Sequence, residues 1–245
     1  MSNNMQEFGF GDGDEKVGAK SKRFKAKEGE KYRVSFVWWP EVDGKPNMDA
    51  PTPKFIGCKR LYLQGVGYFI DKGAEFTKLA GAQSKMYAAT LICLWPVDQN
   101  GELDKGRFQS GEFHVVPWVM SIDKYRTIEQ NHNEFPLGTH DLKLTCTDTT
   151  YQKLTMSPAR ENLLRRLYES EKPATKEIVA AILAATKEGI SEIGGELAQD
   201  LTIEEIRERL GRQAGGAGGH GPGPGSAVTQ SDNKQFDSML DDILG

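Results

Sequence analysis

From Lys31 the chain alternates apolar and polar positions, with Tyr32, Val34, Phe36 and Trp38 on one face of an extended strand and Arg33 and Ser35 on the other. Similar β-type runs follow at 55–63, 86–95 and 112–119. A hairpin is predicted over 141–156, where Leu142, Leu144 and Cys146 alternate ahead of a TDTT turn and YQKLTM returns. Asn100-Gly101 supplies a further turn between the second and third of those runs. After Ser157 the apolar spacing changes to that of a helix, with Ser157 read as N-cap, Pro158 as first helical residue, and Leu163, Leu164 and Leu167 as the apolar stripe. Two more helices are predicted, over 175–186 (Ile178, Val179, Ile182, Leu183) and over 202–210, the latter opened by a Thr202 to Glu205 capping box. There is no internal repeat. Several short strands with local connections predict a mainly β fold, α+β overall, with a small OB-fold-like barrel as core and helices after it.

The ends of the chain break these patterns. Residues 1–24 are rich in Gly, Asp, Asn and Lys and read as a mobile arm; 25–160 form the core and 161–212 a helical extension. Residues 213–231 are too rich in Gly and Pro to build a packed core and read as a linker. The last segment, 232–245, sets Phe236, Leu240, Ile243 and Leu244 at helical spacing among Asp237, Asp241 and Asp242, a form suited to contacting a partner protein.

Charge sharpens this picture. The net charge of -4 argues weakly against a phosphate ligand, but the positive residues cluster in KVGAKSKRFKAKEGEKYR, residues 16–33, while the C-terminal end is acidic. The absence of a basic start followed by an apolar stretch, and of any apolar run near roughly 20 residues, predicts a cytoplasmic protein. Cys58, Cys93 and Cys146 lie far apart inside apolar runs and are expected to be core thiols, not disulfides.

No nucleophile with its base, paired carboxylates, phosphate loop or metal-ligand spacing emerges, so the expectation is a non-enzyme without cofactor or metal. GFGDGD at 9–14 and GVGYF at 65–69 lack the strand-to-helix setting of a dinucleotide loop. What recurs is cations beside aromatics: Lys59, Arg60 and Tyr62; Lys85 and Tyr87; Lys105, Arg107 and Phe108; Lys143 with Tyr151 and Lys153. Cations follow phosphates and aromatic faces stack on bases, the pairing that single-strand binders use. Trp118 is the tryptophan assigned to stacking.

In order along the chain these features resemble the T-even phage single-stranded DNA-binding, or helix-destabilising, family. The resemblance rests on Lys20-Ser21-Lys22-Arg23, on EGEKYRVSFVWWP, on SKMYAATLICLWPVDQNGELDKGRFQSGEF and on the terminal LDDILG. It implies an OB-fold core holding the strand, with Lys85, Tyr87, Lys105 and Arg107 as DNA contacts. It also implies an arm (Lys20, Lys22, Arg23) driving cooperative self-association, and an acidic tip (Phe236, Asp237, Leu240, Asp241, Asp242, Ile243, Leu244) recruiting a helicase, helicase loader or polymerase. The family's His and Cys zinc cluster has no counterpart here, so metal dependence is not implied. The expected function is to coat single-stranded DNA in phage replication, recombination and repair. The alternatives are an interaction hub or transcription regulator acting on a polymerase, and an RNA-binding OB protein.

Overall fold

A computed structural model describes residues 23–38, 46–49, 52–148 and 153–216 of the chain. Its elements run β1 (Lys31–Phe36), β2 (Ile56–Leu63), β3 (Gly67–Ile70), α1 (Ala74–Ala80), β4 (Lys85–Trp95), α2 (Lys105–Gln109), β5 (His114–Ser121), α3 (Ile122–Glu134), β6 (Leu142–Cys146), β7 (Leu154–Pro158), α4 (Leu163–Tyr168), α5 (Pro173–Leu197) and α6 (Ile203–Gly216). No helix among the described residues is long and apolar enough to cross a membrane.

β4, the longest strand, organises one antiparallel sheet. Tyr87 to Leu94 pair with β5 along one edge. The other edge is shared, its first half pairing with β2 and its second half with β1. β3 extends the β2 arm, while β6 and then β7 extend the β1 arm. The predicted hairpin is β6 and β7, with Leu144 opposite Met156. The Asn100-Gly101 turn forms as well: Gly101 takes φ 81°, which a side chain would resist, and donates its N–H to Asp98 O at 3.0 Å.

Two apolar clusters hold the sheet. The larger gathers Leu163, Leu164, Leu167, Ile182 and Ile193 of α4 and α5 with Val34, Phe36, Leu91, Ile92 and Trp118 of the sheet. In the smaller, Phe76 of α1 and Ile203 and Ile206 of α6 cover Leu61 and Phe69. The capping box at α6 forms as read, Thr202 N–H donating to Glu205 Oε2 at 2.7 Å and Glu205 N–H to Thr202 Oγ1 at 3.2 Å. The helix after the hairpin does not begin at Ser157. Pro158 ends β7, and α4 starts five residues later because Asn162 Oδ1 caps Arg165 N–H at 2.9 Å.

The sheet does not close into a barrel. A barrel needs a continuous ring of ladders, whereas β5 pairs only with β4, β7 pairs only with β6, and no ladder joins them among the described residues. The architecture is an open seven-stranded antiparallel sheet with helices, and the mainly β, OB-fold-like expectation is overturned. The resemblance to the T-even phage family loses its footing with it, since that family requires the barrel. The role drawn from it, coating single-stranded DNA in phage replication, recombination and repair, falls too, as do its regulator and OB-type RNA-binding alternatives.

Residues 23–30 show how the unclosed sheet is sealed. This strap runs from β5 to β6: Phe24 N–H donates to Pro117 O at 2.7 Å, Gly29 N–H to Cys146 O at 2.9 Å, and Cys146 N–H back to Glu30 O at 3.3 Å. Phe24, expected to end the arm, is instead a core residue, its ring set edge-on to Tyr32 at 5.0 Å and to Trp118 at 5.6 Å.

Candidate functional site

The strap forms one wall of an open groove of about 970 Å³. Arg60, Tyr68 and Tyr87 line it from β2, β3 and β4, Val119 to Ser121 from β5, Asp123, Lys124 and Thr127 from α3, and Leu154 and Met156 from β7. Its basic side chains are Arg23, Lys25, Lys27, Arg60 and Lys124, against the acidic Glu28 and Asp123, so the lining carries a positive excess. An anion would be drawn here although the whole chain is acidic.

Strand register explains the aromatic part. Arg60 lies opposite Ile70 and Lys85, and Tyr62 lies opposite Tyr68, so alternate residues of three strands share one face. The Arg60 guanidinium sits 3.9 Å from the Tyr68 ring centroid and 3.6 Å from that of Tyr87. Arg23 reaches the Tyr68 ring at 5.8 Å, and Tyr62, 54% exposed, extends the row with its ring 5.0 Å from Tyr68. Arg60 Nη1 donates to Leu197 O at 2.7 Å, whereas its buried Nε has no hydrogen-bond partner among the described residues.

Burial and like charge mark the cations. Burial, with Arg23 nearby, pulls the Lys25 ammonium below the usual lysine range, and Glu196 opposes the shift. Burial also lowers Lys124, against the pull of Asp148 and Cys146. For Arg60, burial lowers the pKa, contacts with Tyr87 and Tyr68 raise it, and Arg23 lowers it further. Each of these groups carries a charge at a cost that a bound anion would relieve.

The structure gathers part of the set expected from sequence. Arg60, Tyr62, Lys85 and Tyr87 share the tyrosine-lined face, and Arg23, assigned to the arm, joins them from the strap. Lys59 is exposed and alternates to the other face of β2. Lys105, Arg107 and Phe108 form the short helix α2 and not a strand: Asp104 Oδ1 caps Arg107 N–H at 3.1 Å, and Phe108 packs edge-on to Trp95 at 5.6 Å. Arg107 forks onto Glu112, which raises the arginine and lowers the carboxylate. Lys143 pairs with Glu102 at 2.5 Å, and Trp118 is fully buried in the core, where no base can stack on it. Lys153 is exposed just before β7, its N–H on Asp148 Oδ1 at 3.0 Å. Tyr151, Lys20, Lys22 and the tip residues Phe236, Asp237, Leu240, Asp241, Asp242, Ile243 and Leu244 lie outside the described residues.

Sequence reasoning missed Tyr68, Lys25, Lys27 and Lys124. Tyr68 had a signal, since the glycines around Val66 make a turn that sets it opposite Tyr62. Lys25 and Lys27 lie in the basic block already recognised, whereas nothing local marks Lys124. No group of three or more His, Cys, Asp or Glu side chains that could hold a metal occurs among the described residues. Comparison with protein-family models, curated proteins and solved structures finds no match for this chain.

Proposed function

We propose that the protein is a non-catalytic binding module whose groove holds an extended, phosphate-bearing chain. One observation carries this reading: an arginine within 4 Å of two tyrosine ring centroids in a groove whose other cations, Arg23, Lys25, Lys27 and Lys124, come from the strap and α3. Ammonium groups suit phosphates, and aromatic rims suit planar groups carried between them. Single-stranded DNA is the partner proposed for the groove, since duplex bases are already stacked on each other. The proposal asks for a few nucleotides seated locally, without wrapping. The acidic segment 232–245 is proposed to contact a partner protein, and the free thiols Cys58, Cys93 and Cys146 fit a reducing cytoplasm.

The test is a titration with a short labelled oligonucleotide, its duplex and an acidic peptide of equal charge, at two or more salt concentrations. The single strand should bind best, and each phosphate neutralised should contribute about -0.7 to the slope of log affinity against log salt. Lys25→Ala with Lys124→Ala should weaken binding and make that slope shallower by about 1.4. Equal binding of peptide and oligonucleotide, or an unchanged slope in the double variant, would remove the groove as a phosphate site.

A further inference from the structure

The most buried cation of the groove is the one least able to grip a ligand directly. Arg60 is 6% exposed, its guanidinium carbon lies 3.9 Å from the Tyr68 ring centroid and 3.6 Å from that of Tyr87, and Nη1 donates to Leu197 O. An arginine that grips phosphate presents two parallel N–H groups in a fork, and here Nε, one natural member of such a fork, is buried. The neighbours are arranged around it. Gln199 N–H donates to Tyr68 O and Ile70 N–H to Gln199 O, each at 3.0 Å, so the segment that accepts from Arg60 is stitched to the strand that carries Tyr68.

We infer that Arg60 is a positioning residue: it spaces and orients the Tyr68 and Tyr87 rings, and the ligand meets those rings while Lys25 and Lys124 take the phosphates. The inference rests on the proposed function for its ligand, but the geometry it invokes belongs to the free protein. A planar cation fills the gap between two rings and attracts both, which a lysine ammonium cannot do because it is a compact point charge on a flexible stem. Charge alone therefore does not replace it. The two roles separate cleanly in salt titrations, because a lost phosphate contact changes the slope whereas lost ring placement weakens binding at every salt concentration alike.

The experiment compares Arg60→Lys, Arg60→Met and Tyr87→Phe in the full chain, using the short oligonucleotide and NMR of the tyrosine ring resonances. Arg60→Lys and Arg60→Met should each weaken binding about 10-fold, the loss of roughly one base stack, with the salt slope of the parent. Tyr87→Phe, which keeps the aromatic face, should bind within about 3-fold of the parent. In the free variants at position 60, the Tyr68 and Tyr87 ring resonances should move while those of Tyr125 and Tyr168 stay in place. If Arg60→Lys binds like the parent while Arg60→Met has a slope shallower by about 0.7, Arg60 is a phosphate contact and the inference is overturned. Should Arg60→Met fail to fold, Arg60→Lys and Tyr87→Phe decide the matter alone. Should the parent bind no oligonucleotide, the proposed function fails, yet unmoved Tyr68 and Tyr87 resonances in free Arg60→Lys would still overturn the positioning role.

Discussion

Arg33 and Ser35 show where alternation along a strand misleads. The pattern assigns them to the face opposite Val34 and Phe36, which is correct, but that face is not solvated, because Asp141 is buried against it. Arg33 Nε donates to Asp141 Oδ2 at 2.8 Å, Ser35 Oγ donates to Oδ1, and Trp95 Nε1 donates to Ser35 Oγ at 2.7 Å. Nothing in the local sequence couples positions more than 100 residues apart, so only the tertiary fold reveals the pairing. Burial pushes the Asp141 carboxyl up to about 6, with Arg33 and the hydrogen bonds from Ser35 and Leu163 opposing it. An unfolded aspartate titrates near 3.9, so between these values the folded chain holds more protons than the unfolded one. The contribution of Asp141 to stability is therefore fully present below about pH 4 and is lost as pH rises through about 6. Urea unfolding at pH 4.5 and pH 7 should show Asp141→Asn losing this trend, with the variant losing less stability than the parent as pH rises. Asp141→Ala should cost about 3 to 5 kcal/mol at pH 7, because it strands a buried guanidinium. An Asn variant that follows the parent at both pH values would show that the group does not titrate in this window.

Elements were legible where one short-range rule decides them. The β6–β7 hairpin followed from alternation about a turn, and α6 followed from its capping box. α3 was not legible because its only fully buried residue is Ile128, and polar side chains cover most of its surface. α5 was read far too short. Its second half, KEGISEIGGEL, contains three glycines, which lower helix propensity, so local preference argues against the helix that packing imposes. Packing acts through Gly189: a Cβ there would lie 2.8 Å from Leu91 Cδ2, whereas one at Gly194 or Gly195 would meet nothing within 4 Å. Leu91 is fully buried in the centre of β4 and has little room to retreat. Gly189→Ala should therefore destabilise by about 1 to 3 kcal/mol through overpacking. Gly195→Ala, in the same helix, should stabilise by roughly 0.5 to 1 kcal/mol because alanine loses less entropy on entering a helix. Thermal denaturation of the two variants should move the melting temperature in opposite directions; equal shifts would mean that α5 does not rest on Leu91 as described.

At the scale of the whole molecule, the strand inventory was close to right and the closure was wrong. Strand identity is written in local alternation, but a barrel depends on whether the first and last edges meet, and no local pattern encodes that. In this chain β5 and β7 stay unpaired with each other, and the strap takes the space between β5 and β6. The half-site from sequence follows from the same limit: Arg60, Tyr62 and Tyr87 were identifiable as types, whereas the joining of Tyr68, Lys25 and Lys124 to them is a product of strand order and of the strap. Phe24 is the residue on which that arrangement turns. It is 4% exposed, wedged edge-on against Tyr32 and Trp118, and its N–H holds Pro117 O at 2.7 Å. Removing the ring deletes a buried aromatic at the mouth of the unclosed sheet, where water can enter, so the cost should fall near the low end of the roughly 3 to 5 kcal/mol typical of Phe→Ala. The strap should then loosen as a unit, since Gly29 and Glu30 are tied to Cys146 further along the same segment. Hydrogen exchange on Phe24→Ala should show faster exchange at residues 24, 29 and 146, while the amides of α4 and α5 keep their protection relative to the variant's global stability. Because Lys25 and Lys27 ride on the strap, oligonucleotide affinity should fall together with that protection. Exchange that rises uniformly over the whole chain would show that Phe24 is an ordinary core residue and that residues 23–30 do not act as a separate seal.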